Sequence, residues 1–145
     1  MNNECGSGKV KPLSDSCCKP NAESGSLDAD SKRKNNTLML IIGTDALGKE
    51  EELGKKLVKG FFETMKMTKQ LPHTIFFLNA GVKLTTVNEE VVGVLKDIEA
   101  MGVEMYSCGT CLKHYDLESA LKVGHRGTTN HIVEGMQDFD KVVWI

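Results

Sequence analysis

The feature of this sequence that most restricts its fold is a regular alternation of short apolar runs with amphipathic segments, beginning at Thr37. The runs at 37–42, 74–78 and 103–107 are short and largely apolar, as in strands buried on both faces of a sheet. Between them, apolar residues recur at helical spacing over about 50–69 and 87–98. Strand and helix repeated in this order predict an α/β domain, with helices on both faces of a mainly parallel sheet.

The last part of the chain predicts two more strands. A weak strand is expected near 123–126, and a short helix after it carries Ile132, Val133 and Met136. The final strand is expected at 141–145, where Trp144 is interpreted as a packing anchor. The predicted sheet therefore has five strands, within one domain that extends from Thr37 to Ile145.

The first 36 residues have a different composition. They contain no aromatic residue, and their only large aliphatic residues besides Met1 are Val10, Leu13 and Leu27. Such a segment buries too little apolar surface to offset the entropy lost on ordering, so residues 1–36 are predicted to be a disordered tail. The basic run at 32–34 is interpreted as a solvated linker.

Charge, hydropathy and cysteine content exclude several classes of protein. The formal net charge is -2 and 40% of the residues are apolar, which gives no bulk attraction to nucleic acid or to an anionic membrane. No stretch approaches the roughly 20 apolar residues of a membrane span, and no secretory leader is recognisable. We therefore expect a cytoplasmic protein, in which the five cysteines stay reduced rather than forming a disulfide framework.

Three glycine-containing loops follow the first three predicted strands. They are Gly43-Thr44-Asp45, Asn79-Ala80-Gly81-Val82-Lys83 and Cys108-Gly109-Thr110-Cys111. The carboxyl ends of parallel strands meet at one edge of a sheet, where ligands and reactive groups gather. The predicted site therefore comprises Cys108 and Cys111 with the flanking binding residues of these loops, which are Asp45, Asn79, Gly81, Lys83, Gly109 and Thr110.

Cys108 is the candidate nucleophile, because it leaves a buried strand and enters a predicted helix. Unpaired backbone N–H groups and the helix dipole favour thiolate there. Cys111 lies three residues on, so the two sulfurs can meet on one helix face. The alternative is that both thiols are small buried hydrophobes; for Cys111 the two interpretations are about equally supported. The isolated C-x-x-C has no histidine partners at zinc-site spacing, and we expect neither a metal nor a cofactor.

Taken together, several motifs resemble one known family. The segments that carry the resemblance are Leu40-Ile41-Ile42-Gly43-Thr44-Asp45, Glu51-Glu52-Leu53-Gly54, Phe77-Leu78-Asn79-Ala80-Gly81-Val82-Lys83-Leu84, Cys108-Gly109-Thr110-Cys111-Leu112, Tyr115, Val123-Gly124 and Asn130. Over about 38–145 the chain resembles the DsrE/DsrF-like sulfur-relay family, and most closely the carboxyl-terminal domain of YedF proteins, which are sulfurtransferase-like and linked to selenium metabolism.

The resemblance implies a three-layer α/β/α fold, often assembled as trimers or hexamers. It implies a persulfide carried on Cys108, with Cys111 matching the second cysteine of the YedF-like pattern, which many wider relatives lack. Full-length YedF proteins also have a TusA-like domain with a Cys-Pro motif, for which residues 1–36 are too short. A separate protein, such as a TusA-like one, is therefore expected to supply or accept the sulfur or selenium.

The leading hypothesis is a sulfurtransferase-like carrier of sulfur or selenium. Cys108 attacks a persulfide or selenosulfide donor, Cys111 receives the chalcogen or resolves the adduct, and the N–H groups of Gly109 and Thr110 stabilise the anionic terminal atom. One alternative is a thiol–disulfide redox protein that carries no sulfane sulfur. The other is a non-catalytic oligomeric binding or regulatory module, for which Cys108 is dispensable.

Overall fold

The computed structural model describes residues 38–145. Thr37, the predicted tail and its three cysteines, Cys5, Cys17 and Cys18, lie outside the described residues. In chain order the strands are β1 Leu38–Ile42, β2 Thr74–Phe77, β3 Glu104–Cys108, β4 His125–Gly127 and β5 Lys141–Trp144. The α-helices are α1 Glu51–Thr68, α2 Glu89–Ala100, α3 Gly109–His114 and α4 Thr129–Asp138, and two 3-10 helices span Asn79–Thr85 and Glu118–Ala120.

The five strands form one parallel sheet in the order β4-β3-β2-β1-β5. The chain therefore steps towards one edge from β1 to β4 and then returns across the whole sheet to β5. Because crossovers between parallel strands are right-handed, these opposite directions place α1 and α2 on one face and α4 on the other. This is the three-layer α/β/α arrangement with a five-stranded sheet that the sequence predicts.

Alternating residues of β1 serve the two layers. Leu40 faces α1 and lies near Phe61 and Met65 of that helix, whereas Met39 lies against Gly135 of α4. Both β1 residues are buried, at 4% and 1% exposure respectively. The continuous apolar run at 38–42 is thus explained by a strand that is covered on both faces.

Several apolar residues that were predicted to lie in packed positions are exposed in residues 38–145 of the structure. Trp144, expected as a packing anchor, is 58% exposed in the edge strand β5, and only its indole edge lies against Gly43. Val87 precedes α2 instead of lying on its buried face and is 54% exposed. On α4, Val133 and Met136 also face outward, because the ten-residue helix contacts the sheet along Ile132 and Gly135.

Within 38–145, none of the helices combines the length and apolar character needed to cross a bilayer.

Candidate functional site

The two cysteines of the C-x-x-C motif lie at the carboxyl end of β3. Cys108 is the last residue of that strand and the residue before α3, and its side chain is 6% exposed. Cys111 lies one helical turn on and is partly exposed. Both are free thiols, and the interaction with Cys108 is among the causes that raise the pKa of Cys111. The two side chains are therefore neighbours at this end of the sheet, and their joint action stays a prediction.

Asn79, in the loop after β2, reaches across to this thiol pair. Its main-chain N–H donates to the Cys111 sulfur, with 3.1 Å between nitrogen and sulfur. Asn79 has a φ of 45°, in the left-handed region, where asparagine is among the few residues tolerated without large strain. This backbone conformation begins the 3-10 helix Asn79–Thr85, which the sequence interpretation treated only as a loop.

Gly81 is needed because this loop packs directly on the end of β1. A Cβ atom at Gly81 would lie far inside van der Waals contact with the Ile42 carbonyl oxygen. Beneath the site, the hydroxyls of Thr85 and Ser107 are buried and hydrogen-bond each other at 2.8 Å, joining the 3-10 helix to β3. These two residues were missed by sequence reasoning, since neither stands in a glycine-containing loop.

A second set of contacts joins two of the predicted loops to Tyr115. The Tyr115 hydroxyl donates to Asn79 Oδ1 at 3.1 Å. Lys83 Nζ lies 4.9 Å from the centroid of the Tyr115 ring and 3.9 Å from an Asp45 carboxylate oxygen. The structure thus brings Asp45, Asn79 and Lys83 together around the residue that ends α3.

The pKa of the Cys111 thiol is raised above its ordinary value. Burial is the largest cause, and the hydrogen bond and the charge interaction with Cys108 act in the same direction. The N–H of Asn79 opposes these effects, because a hydrogen-bond donor stabilises the thiolate. On balance these causes favour the protonated thiol of Cys111 over its thiolate.

The remaining predicted residues lie at the start of α3. Gly109 is buried and Thr110 exposed, and a Cβ atom at Gly109 would collide with the side chain of Arg126. Arg126 comes from β4, opposite Ser107, and pairs with Glu118 at 2.9 Å. It is a cation near the site that sequence reasoning did not identify; the only available indication was the weak strand predicted at 123–126.

Among residues 38–145, no group of three or more His, Cys, Asp or Glu side chains is arranged to hold a metal ion. What the arrangement offers chemically is a pair of contacting thiols, one buried and one partly exposed, with an amide donor at the second. Such a pair can exchange sulfane sulfur, form a disulfide, or do both in sequence.

No protein-family model matches the sequence, and no curated protein matches it significantly. Among solved structures, the fold is similar to the YchN protein from E. coli, with a TM-score of 0.55 and 18% identity, covering 75% of this chain and 99% of that one. It is also similar to BT1422 from Bacteroides thetaiotaomicron, titled a conserved protein of unknown function, with a TM-score of 0.52 and 17% identity, covering 78% and 97%. At these identities the likeness concerns the fold alone, and that fold is the DsrE/DsrF-like one.

Proposed function

We propose that the protein is a sulfurtransferase-like carrier that holds sulfane sulfur or selenium on Cys108, assisted by Cys111. The single observation that carries this proposal is the contact between the two free thiols at the carboxyl edge of the sheet, with the Asn79 N–H on the second sulfur. The DsrE/DsrF-like fold supports it, since the sequence resembles the sulfur-relay members of that fold family.

In the first step the Cys108 thiolate attacks the outer sulfur of a donor persulfide. The donor's S–S bond breaks, its thiolate leaves with the electron pair, and Cys108 becomes Cys108–S–SH. A donor selenosulfide reacts in the same way to give Cys108–S–SeH. The N–H groups of Gly109 and Thr110 are the proposed donors to the anionic terminal atom.

The carried atom leaves by one of two balanced routes. An acceptor thiolate attacks the outer sulfur and takes it, which restores the Cys108 thiolate. Alternatively, Cys111 attacks the inner sulfur, so that a Cys108–Cys111 disulfide forms while hydrosulfide, or hydroselenide, departs with the electron pair. The contact between the two thiols supports the second route.

The closer identification and the cellular setting are part of the proposal. We infer a carboxyl-terminal YedF-like domain that assembles as a trimer or hexamer in the cytoplasm. Its donor or acceptor is another protein, such as a TusA-like one. Exchange between proteins requires no small-molecule pocket at the thiols, and neither nucleic acid nor a membrane is a proposed partner.

Mass spectrometry after incubation with glutathione persulfide tests the carrier function. Cys108 and Cys111 fall on one tryptic peptide, so fragment ions must assign an added mass of about 32 Da to Cys108. We expect the adduct in the wild type and in Cys111→Ser, but not in Cys108→Ser. The experiment is done in a background in which the other three cysteines are serine, namely Cys5, Cys17 and Cys18.

The same thiol contact also favours a second candidate function, thiol–disulfide exchange without sulfane sulfur. A disulfide, seen as a loss of about 2 Da, forms under either candidate, so the deciding result is Cys111→Ser, which never retains an added sulfur if the protein only exchanges disulfides. A Cys108→Ser protein that still supports sulfur or selenium transfer to an acceptor would contradict both candidates and leave a non-catalytic binding module.

A further inference from the structure

A short hydrogen-bonded path leads from Tyr115 to the Cys111 sulfur. The Tyr115 hydroxyl donates to the side-chain oxygen of Asn79, and the main-chain N–H of Asn79 donates to Cys111, each with 3.1 Å between heavy atoms. Tyr115 and Cys111 are four residues apart, and the Tyr115 N–H also bonds the Cys111 carbonyl oxygen at 3.1 Å. The tyrosine thus joins the beginning of one loop to the end of the helix that carries the thiol.

We propose that Tyr115 is a positioning residue that keeps the Asn79 N–H directed at Cys111, and so sets how readily Cys111 resolves a persulfide on Cys108. The inference rests on the proposed carrier function and assigns the regulation of its second step. Tyr115 itself touches neither the donor nor the transferred atom in this scheme.

Asn79 needs such support because of where its backbone lies. With a φ of 45° and an exposed side chain, it occupies a conformation that costs free energy relative to the ordinary regions. Two hydrogen bonds anchor Asn79 here: its side-chain oxygen accepts from Tyr115, just after α3, and its N–H donates to the Cys111 sulfur. When the tyrosine hydroxyl is removed, the loop can relax towards ordinary backbone angles, and the N–H turns away from the sulfur.

The N–H matters most in the step that needs Cys111 as thiolate. Cys111 loses its proton to solvent and attacks the inner sulfur of Cys108–S–SH, forming the Cys108–Cys111 bond. The bond to the outer sulfur breaks and hydrosulfide leaves with the electron pair, so the Cys111 sulfur is oxidised while the outer sulfur is reduced. Burial and Cys108 oppose ionisation of Cys111, and the Asn79 N–H is the contact that favours it.

The other titratable or charged side chains of this region remain unchanged when only the tyrosine hydroxyl is removed. From the elements packed around Cys111 and from α3 itself they are Cys108, Lys83, Asp45, Lys113, His114 and Arg126. The Tyr115 ring, which holds Lys83 and contacts His114, is retained in Tyr115→Phe. A change in the ionisation of Cys111 in this variant therefore reports the hydroxyl alone.

The test compares Tyr115→Phe with Tyr106→Phe, since the chain has two tyrosines and Tyr106 lies on the opposite face beside His131. Two quantities are followed: the pH midpoint of Cys111 alkylation by iodoacetamide, and hydrosulfide release from protein already loaded on Cys108. In Tyr115→Phe we expect the midpoint to move to higher pH and release at pH 7 to slow roughly three- to tenfold, the range for losing one hydrogen bond. Tyr106→Phe should change neither.

A double variant separates positioning from general packing. Glycine adopts positive φ without support, so Asn79→Gly keeps an N–H at this position but removes the oxygen that Tyr115 holds. In the Asn79→Gly background, Tyr115→Phe should have no further effect on either quantity. An equal slowing in both backgrounds, or an unchanged alkylation midpoint in Tyr115→Phe, would overturn the proposal.

Failure of this inference is distinguishable from failure of the carrier function. Loading of Cys108, measured by its added sulfur mass, should be normal in Tyr115→Phe. If loading fails in the wild type, the carrier proposal is wrong; if loading is normal and release is insensitive to Tyr115, only the positioning role is wrong.

Discussion

At the scale of single residues, the site depends on two backbone positions in the loop after β2. Asn79 lies in the left-handed region and directs its N–H at Cys111, while two residues later Gly81 touches the end of β1. This glycine was predicted from the sequence as a binding residue of the site, and in the structure it packs closely against the Ile42 carbonyl. The asparagine's role has no counterpart in the sequence, because a hydrogen bond between residues 79 and 111 depends on how two loops meet.

A pair of alanine substitutions tests the packing requirement at Gly81. Gly81→Ala should destabilise the fold by about 2 kcal/mol, because the new methyl group meets main-chain atoms that cannot move aside easily. Gly93→Ala is the matched control: it lies in the exposed interior of α2 with nothing within 4 Å, and should stabilise by about 0.5–1 kcal/mol through helix propensity. Urea unfolding, followed by circular dichroism, measures the change in unfolding free energy for both variants. Equal changes at the two sites would contradict a packing requirement specific to Gly81.

The raised pKa of Cys111 leads to a second residue-scale prediction. Cys108→Ala removes a hydrogen bond and a charge interaction that both raise it, so the Cys111 pKa should fall. Alkylation rates between pH 7 and 10, in protein without the tail cysteines, should then show an earlier midpoint than in wild type. In the wild type the folded state holds this proton more tightly than the unfolded chain. The resulting stabilisation is complete below the unfolded pKa and lost as pH rises through the folded one.

At the scale of elements, the long and strongly periodic segments were predictable. The strands Leu38–Ile42 and Thr74–Phe77 and the helix Glu51–Thr68 fall within a few residues of their predicted limits. Each is covered on a face that the sequence marks by apolar spacing, and for these elements tertiary packing agrees with local pattern.

The elements that escaped prediction are short and lie next to the site. The 3-10 helix Asn79–Thr85 has an i to i+3 pattern, in which four of its seven residues are buried, so no amphipathic period is visible. Its end also explains Val87: the Lys83 carbonyl accepts from the N–H groups of 86, 87 and 88, which delays α2 until Glu89. Short elements of this kind are determined by neighbouring loops more than by their own sequence.

The start of α2 gives a prediction at this scale. The Asn88 side chain accepts a hydrogen bond from the Val91 N–H at 3.2 Å and caps the helix. Asn88→Ala should therefore cost about 1 kcal/mol of unfolding free energy, whereas Asn88→Asp, which keeps an acceptor beside the helix N-terminus, should cost much less. Thermal or urea unfolding compares the two; an equal loss in both variants would mean that the side chain contributes by packing instead of capping.

At the scale of the whole molecule, strand order separates the two thiols from the β5 edge of the sheet. The thiols lie at the end of β3, next to the β4 edge, while β5 forms the other edge and is separated from β3 by two strands, β2 and β1. On that edge Trp144 is 58% exposed, and within 38–145 no strand pairs with the outer side of β5. Unpaired edge strands and exposed tryptophans are typical of surfaces that become covered by association.

The proposed trimer or hexamer therefore predicts a measurable role for Trp144. It is the chain's single tryptophan, so its fluorescence reports this edge without interference. If β5 is an assembly surface, iodide quenching should weaken as protein concentration rises, and sedimentation velocity should show the larger species appearing over the same range. Trp144→Lys should shift the sedimentation midpoint to higher concentration by roughly tenfold or more, since buried tryptophans are frequent hot spots. Glu104→Lys, which changes another exposed residue near the opposite edge, is the control. If a large assembly forms while iodide still quenches Trp144 fully, the subunit contact lies on another surface. The surface around the thiols would then be the next to test.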